Sequence, residues 1–280
     1  MKDLFQRQFG HRKFMIGCVH TLALPGTPLY DQAGGMKKII AQARQEARIL
    51  EDAGFHALLY TNEADMPYQT GVSAEVVAAM STIIAETQHE VSLPHGVNIL
   101  IDPLAALAVA HATGGRFIRA FVSGTMVGDF GFYTADGGGL QRFRRQIGAD
   151  EVKIIANITP GFSVNLDTRA AEEIAWGAVF IGMADAVCIS GIAAGVAVNT
   201  DLLGRVAAKV TDTPVVVGTG TTAENVTELA QTADGFIVGT SIKTDGKTLN
   251  PVDPERARRF MTKVAEIEGG ARSQDSVLGR

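Results

Sequence analysis

The chain has 280 residues, 46% hydrophobic and 20% charged, with 31 glycines and a net charge of −5. That length buries one large core without crosslinks, so a single domain is the economical reading. An acidic balance with no dense Lys/Arg run excludes the electrostatic footprint of nucleic acid or an anionic bilayer, and no window reaches the roughly 20 apolar residues of a membrane span.

The apolar stretch at 14–19 is about half the length of a signal-peptide core, so a soluble, cytoplasmic protein is expected. Its two cysteines, Cys18 and Cys188, each lie in an apolar run. They read as small core hydrophobes rather than as a disulfide or a metal pair.

Short β-rich apolar runs alternate along the chain with longer segments of helical period. FMIGCVH at 14–20 is followed by a helix over 32–52, in which Ile39, Ala43, Ala47 and Leu50 form one apolar stripe. Next come ALLYT at 57–61 with a helix over 73–88, GVNIL at 96–100 with 103–113, and FIRAFV at 117–122 with 138–147. VKIIANI at 152–158 precedes 168–181, AVCIS at 186–190 precedes 200–211, PVVVG at 214–218 precedes 223–231, and GFIVG at 235–239 precedes 253–266. Helices end at glycines such as Gly54 and Gly114. Eight such units predict an α/β fold with a closed parallel sheet, the (β/α)8 or TIM barrel, over 1–268. The segment 269–280 (GGARSQDSVLGR) has little to bury and is expected to fray. An open dinucleotide-binding sheet would need G-x-G-x-x-G after the first strand, where this chain has HTLALPG at 20–26.

In such a barrel the loops after the strands converge on one mouth, so functional residues are sought at strand C-termini. His20, Asn62, Glu63, Asp65, Asn98, Arg119, Asp129, Asn157, Thr159 and Ser190 occupy those places. The strongest local feature is GTGTTAEN at 218–225, followed one unit later by Gly239-Thr240-Ser241. Glycines let backbone amides approach an anion, and turns after strands seven and eight are where this fold often holds phosphate. Gly218, Thr219, Gly220, Gly239 and Thr240 are therefore the expected cradle for a small phosphorylated molecule, with Gly191 as a third edge. His20, Glu63 and Asp129 are the candidate proton-transfer groups, and Asn62, Asn98, Arg119, Asn157 and Ser190 would orient the substrate. Against this stands a plainer reading, in which Glu63 or Asp65 pairs with Arg119 to hold the loops. The long Gly-rich connection at 123–137 suggests a lid, with a partner-packing surface as the alternative. A Schiff-base mechanism is disfavoured, because Lys153 lies near a strand start and Lys243 beyond the phosphate turn. His11, His56, His89, His95 and His111 form no ready-made ligand cluster. No cofactor is evident, and a divalent metal is left open with His20, Glu63 and Asp129 as its sensible ligands.

The sequence resembles the BtpA family, with its SgcQ-like members, among the ribulose-phosphate-binding barrels. The resemblance rests on IGCVHTLALPGTPLY (16–30), GVNIL (96–100), FIRAFVSGTMVGDFG (117–131), ISGIAAG (189–195), VVVGTGTTAENV (215–226) and DGFIVGTSIKTDGKTLNPVD (234–253). It implies a barrel and phosphate binding by the last two motifs, without fixing an activity. The family pattern changes at Thr61-Asn62-Glu63 with Asp65-Met66-Pro67, at Ile101-Asp102-Pro103, and at Asn157-Ile158-Thr159-Pro160, which points to a different substrate or weakened chemistry. Taken together, the expectation is an enzyme acting on a sugar phosphate or related metabolite, as an isomerase, epimerase or lyase, and forming a homo-oligomer. Two alternatives stand beside it. One is a non-catalytic assembly factor, in line with the photosystem I biogenesis role that gives the family its name. The other is a hydrolase or transferase of nucleotide-like or glycosidic substrates, with Glu63 or Asp129 as the acid.

Overall fold

A computed structural model describes residues 6–7, 10–11 and 13–278, with only the backbone described from 268 onward. In chain order the elements begin β1 (Phe14–His20), α1 (Gly35–Asp52), β2 (Ala57–Thr61), α2 (Ala74–Gln88), β3 (His95–Asn98), α3 (Pro103–Thr113) and β4 (Phe117–Ala120). There follow β5 (Thr125–Gly128), β6 (Gly131–Thr134), α4 (Gly137–Gln146), β7 (Lys153–Asn157), β8 (Ser163–Asn165), α5 (Ala171–Phe180) and β9 (Ala186–Ile189). The chain closes with α6 (Thr200–Lys209), β10 (Val215–Val217), α7 (Val226–Leu229), β11 (Gly235–Val238) and α8 (Pro254–Leu278).

Eight strands form a closed barrel in the order β1-β11-β10-β9-β7-β4-β3-β2. Every pairing in it is parallel. This is the (β/α)8 barrel expected from the alternation of apolar runs and helical segments. Successive side chains of a strand face opposite sides, and the buried residues divide accordingly. Phe14, Ile16, Cys18, Ala57, Leu59, Phe117, Ile155, Ala186, Cys188, Val216 and Ile237 form one cluster, the filling of the barrel. Met15, Val19, Leu58, Tyr60, Val97, Ile118, Val187 and Phe236 belong to the other, which includes the apolar faces of the helices. Gly96 and Gly235 make room inside, since a Cβ at either would lie 2.3 Å from the ring of Phe117 or Phe14. Both cysteines are buried and free.

Local signals explain the helix ends. Asp102 accepts a hydrogen bond from the Ala105 amide at 3.0 Å, capping α3, and Gly114 ends that helix in the left-handed region at φ 77°. The buried face of α1 carries Ile39, Ala43, Ala47 and Leu50, and also Glu46.

The connection expected as a lid folds as a β-hairpin. β5 and β6 pair antiparallel, and β8, from the loop after β7, adds to the other edge of β5. The result is a small three-stranded sheet beside the mouth. The segment set apart as a fraying tail continues α8 as helical backbone to Leu278, and 279–280 lie outside the described residues. Among the described residues no helix is long and apolar enough to cross a membrane.

Candidate functional site

The inward face of each barrel strand ends, at the mouth, on one residue: His20, Thr61, Asn98, Arg119, Asn157, Ser190, Gly218 and Gly239. Each lies two positions beyond an inward residue of its own strand (Cys18, Leu59, Gly96, Phe117, Ile155, Cys188, Val216 and Ile237), so strand parity alone aims them at the axis. All eight line one or both of two adjoining lobes of a cleft at this end. Glu63, which continues the inward parity of β2 into the following loop, lines both lobes, as do Asn98, Arg119 and Thr219.

Arg119 is the central cation. Its Nε donates to Asn157 Oδ1 and its Nη2 to Ser190 Oγ, both at 2.8 Å, and its Nη1 reaches the Gly218 carbonyl at 3.5 Å. Three neutral acceptors thus hold the guanidinium fork across the barrel top. Its hydrogen bonds go to amide, hydroxyl and carbonyl oxygens rather than to Glu63 or Asp65. Gly218 has to be small: a Cβ there would lie 2.5 Å from Ser190 Oγ and 2.9 Å from Arg119 Nη2.

Glu63 feels both burial and charge. Burial pushes its carboxyl above the usual carboxylate range, while Arg119, Lys243 and a hydrogen bond with Thr61 pull it back. His20 is held the other way, down to about 3, first by burial and then by the Lys243 ammonium. Its Nδ1 lies 3.0 Å from the Thr248 carbonyl oxygen. Because a carbonyl only accepts, Nδ1 carries the proton and Nε2 is left as an acceptor. That edge of the ring sits over Gly239, where a Cβ would be 3.1 Å from Nε2.

The Gly-rich lobe is lined by 218–222 and 239–241, and encloses about 830 Å³ including its open mouth. Gly220 is at φ 71°, and a Cβ there would strike the Val196 carbonyl at 2.2 Å, so this position requires glycine on both counts. Among the described residues the amides of Gly220, Thr221, Thr240 and Ser241 have no acceptor in the protein. Thr221 is 2% exposed, and its hydroxyl has no hydrogen-bond partner.

Other expected residues are placed differently. Asn62 has the outward parity of β2, so it misses the cleft. Its Oδ1 accepts from the Leu100 amide at 2.8 Å and its Nδ2 donates to Asp65 Oδ2 at 2.9 Å, while Asp65 Oδ1 accepts from the Leu24 amide at 2.8 Å. The two side chains tie together the loops after β1, β2 and β3, and Asn62 lies outside both lobes of the cleft. Asp129 sits exposed at the turn of the β5–β6 hairpin and lines neither lobe. The Gly191 amide is already given to Thr219 Oγ1 at 2.7 Å, and that hydroxyl donates in turn to the Val196 carbonyl at 3.1 Å. Gly191 and the Thr219 hydroxyl therefore brace the loop instead of facing an anion. Thr240 Oγ1 lies 3.0 Å from Thr248 Oγ1. No three His, Cys, Asp or Glu side chains gather to hold a metal among the described residues, so His20, Glu63 and Asp129 form no ligand set. Burial pushes the Cys18 thiol up to about 12, which removes it as a nucleophile.

Sequence reasoning missed a buried ion pair beside the cleft. Lys243 Nζ lies 2.7 Å from Glu46 Oε2, with side chains 0% and 2% exposed. Glu46 Oε1 also accepts from the Val252 amide at 3.0 Å. The available signal was a carboxylate on the buried stripe of α1.

The sequence model of the BtpA family matches residues 11–266. The sgc region protein SgcQ of Escherichia coli (strain K12) is 40% identical over 258 residues, covering 92% of this chain and 96% of its own. The photosystem I biogenesis protein BtpA of Synechocystis sp. is 33% identical over 267 residues, covering 94% and 92%. Among solved structures, the (S)-3-O-geranylgeranylglyceryl phosphate synthase of Thermoplasma acidophilum superposes with a TM-score of 0.62 at 17% identity, over 95% of this chain and 98% of that one. The phosphoribosyl anthranilate isomerase of Thermus thermophilus gives 0.54 at 14% identity, over 91% and 99%. At such identities the likeness to these two is one of fold alone. The match across nearly the whole described chain, and relatives of 33–40% identity over more than nine-tenths of their length, place this protein in the BtpA family.

Proposed function

We propose that the protein is an enzyme acting on a small phosphorylated metabolite, whose phosphate is held between the turns after β10 and β11. The observation that carries this reading is the Thr221 hydroxyl, buried without a partner among backbone amides that also lack acceptors. A buried polar group left unpaired costs about 1–3 kcal/mol, which an anion bound in the lobe would recover. The barrel end and the relatives' place in a phosphate-binding superfamily, as the sequence resemblance implies, support the same reading.

The chemistry then falls to the groups shared by the two lobes. Glu63, its carboxyl held toward the protonated form, would donate and take back a proton at the substrate, and Arg119 would stabilise negative charge developing beside it. His20 Nε2 would accept a hydrogen bond from a substrate hydroxyl. An isomerase, epimerase or lyase uses such proton transfers. The glycosidic alternative fits less well, because Asp102, the other carboxylate lining the cleft, is occupied by the Ala105 and Val72 amides at 3.0 Å.

The test is a thermal-shift titration with inorganic phosphate and ribose 5-phosphate on wild type and Thr221→Val. A ligand bound only by the folded state raises the melting temperature. The expected result is a shift in wild type that is largely lost in Thr221→Val, while the unliganded variant melts no lower than wild type. An unchanged shift in the variant, or none in wild type, would sink the phosphate assignment.

A second reading, an assembly factor like that named by the Synechocystis relative, has one observation in its favour. Trp176, Phe180, Ile181 and Met183 leave an exposed apolar patch at the end of α5, with the first two rings stacked at 4.9 Å. The same patch supports the homo-oligomer reading, which sedimentation equilibrium of wild type against Phe180→Asp measures directly.

A further inference from the structure

A phosphate and a proton-transfer centre leave the second lobe of the cleft without an occupant. This lobe encloses about 850 Å³ including its open mouth. Five aromatic side chains from four separate segments line it: Tyr68 after β2, Phe121 after β4, Phe130 and Tyr133 from the β5–β6 hairpin, and Phe162 before β8. They form two groups. Phe121 and Phe130 each meet Tyr133, at 5.9 and 6.5 Å between centroids, and Tyr68 meets Phe162 at 6.3 Å.

Phe162 carries a further sign of purpose. It takes a left-handed backbone at φ 56°, uncommon for a side chain of this size, and its ring is held at the rim with the residue 42% exposed. The Asp129 amide donates to its carbonyl at 3.3 Å, which joins the hairpin to this loop.

We propose that the substrate is a sugar phosphate bearing a flat aromatic or heteroaromatic ring, with the ring in this lobe. Aromatic walls favour flat π-systems, which meet them edge-on or offset-stacked. The polar groups at the seam, Glu63, Asn98 and Arg119, belong to both lobes, so the sugar between phosphate and ring would lie at the acid–base centre. The inference rests on the phosphate reading above.

Isothermal titration calorimetry with a purine and a pyrimidine nucleoside 5′-monophosphate, ribose 5-phosphate, n-hexyl phosphate and inorganic phosphate tests it. At least one nucleotide should bind about tenfold more tightly than ribose 5-phosphate, the scale of one or two ring contacts. Phe162→Leu, which keeps apolar bulk and removes the ring, should erase most of that margin while ribose 5-phosphate affinity stays within about twofold. Equal binding of nucleotides and ribose 5-phosphate overturns the ring assignment alone and leaves the phosphate site standing. Hexyl phosphate matching the nucleotides would overturn it too, marking the lobe as a site for an aliphatic chain. If no probe binds, inorganic phosphate included, both readings fall.

Discussion

Replacing Lys243 by Met tests how the cleft is kept in shape. The ammonium is 2.7 Å from Glu46 Oε2 with both side chains buried, a Coulomb attraction of roughly 6 kcal/mol at an effective dielectric of about 20. The net loss is smaller than that gross figure, because desolvating the two ions opposed it. Removing one partner of a buried pair leaves the other uncompensated, which costs about 3–5 kcal/mol. After the substitution Glu46 keeps only the Val252 amide. For 280 residues the unfolding entropy is about 0.6 kcal/mol per degree, so the melting temperature should fall by about 5–8 °C. The double variant Glu46→Met, Lys243→Met should recover at least half of that loss, since an apolar replacement strands no charge. The pair also anchors the segment 243–252, whose Thr248 carbonyl holds His20, and Lys243 itself depresses the His20 pKa. NMR titration of the imidazole in Lys243→Met should therefore move from about 3 toward its ordinary 6.5. A melting temperature within about 2 °C of wild type, with His20 unmoved, would refute the claim that this pair sets the electrostatics of the cleft.

Glu63→Gln should be more stable than wild type by about 1–3 kcal/mol at pH 8, as for relief of a buried polar group that is poorly matched. Its folded pKa is raised, so the native state holds the proton longer and wild-type stability falls as pH rises through the ordinary 4.5 toward the folded value. The two proteins should converge below pH 4.5, and urea midpoints across that range would show it. His20, His56 and His95 are held down to about 3, 4 and 4 by burial, so each is neutral when folded and protonates below 6.5 when unfolded. Stability complete above pH 6.5 should fall on acidification by up to about 1.4 kcal/mol per pH unit for each. His56→Gln should lessen that slope, and an identical slope would show that His56 does not take part.

The barrel was legible because parallel strands buried on both faces are short unbroken apolar runs, and eight of them alternate with amphipathic segments. Much of the mouth was legible for a simpler reason: polar residues at strand ends have few other places to point. What the list of strand ends lacked was parity. Counting in twos from Phe117 puts Arg119 inward, and counting from Leu59 puts Thr61 and Glu63 inward and Asn62 out. Asp129 was misplaced because a Gly-rich stretch reads as a loop until its pairing is known, although Gly128 and Gly131 bracketing two residues are themselves a hairpin sign. The clamp of Thr248 on His20 spans 228 positions, and no local pattern announces it. The aromatic lobe is hidden likewise, since its rings come from four segments that only barrel closure brings together.

The charges at the seam show why one carboxyl can serve where two are common. Arg119 and Lys243 are cationic, Glu46 pairs with Lys243, and His20 is held neutral, so Arg119 is the cation lining the cleft beside Glu63, whose carboxyl burial pushes up. On the proposed reading, a phosphate arriving in the Gly-rich lobe would offset that cation and place negative charge near Glu63. Like charge disfavours the carboxylate, so on that reading an anion in the cradle would push the Glu63 carboxyl further up. In the unliganded protein Arg119 pulls the other way, toward ionisation. Binding and proton donation would then be coupled through one guanidinium, which Asn157, Ser190 and Gly218 hold in position. By the same linkage, the stability gap between wild type and Glu63→Gln should widen when phosphate is bound at pH 8, because the wild-type protein must then carry or neutralise a second buried negative charge.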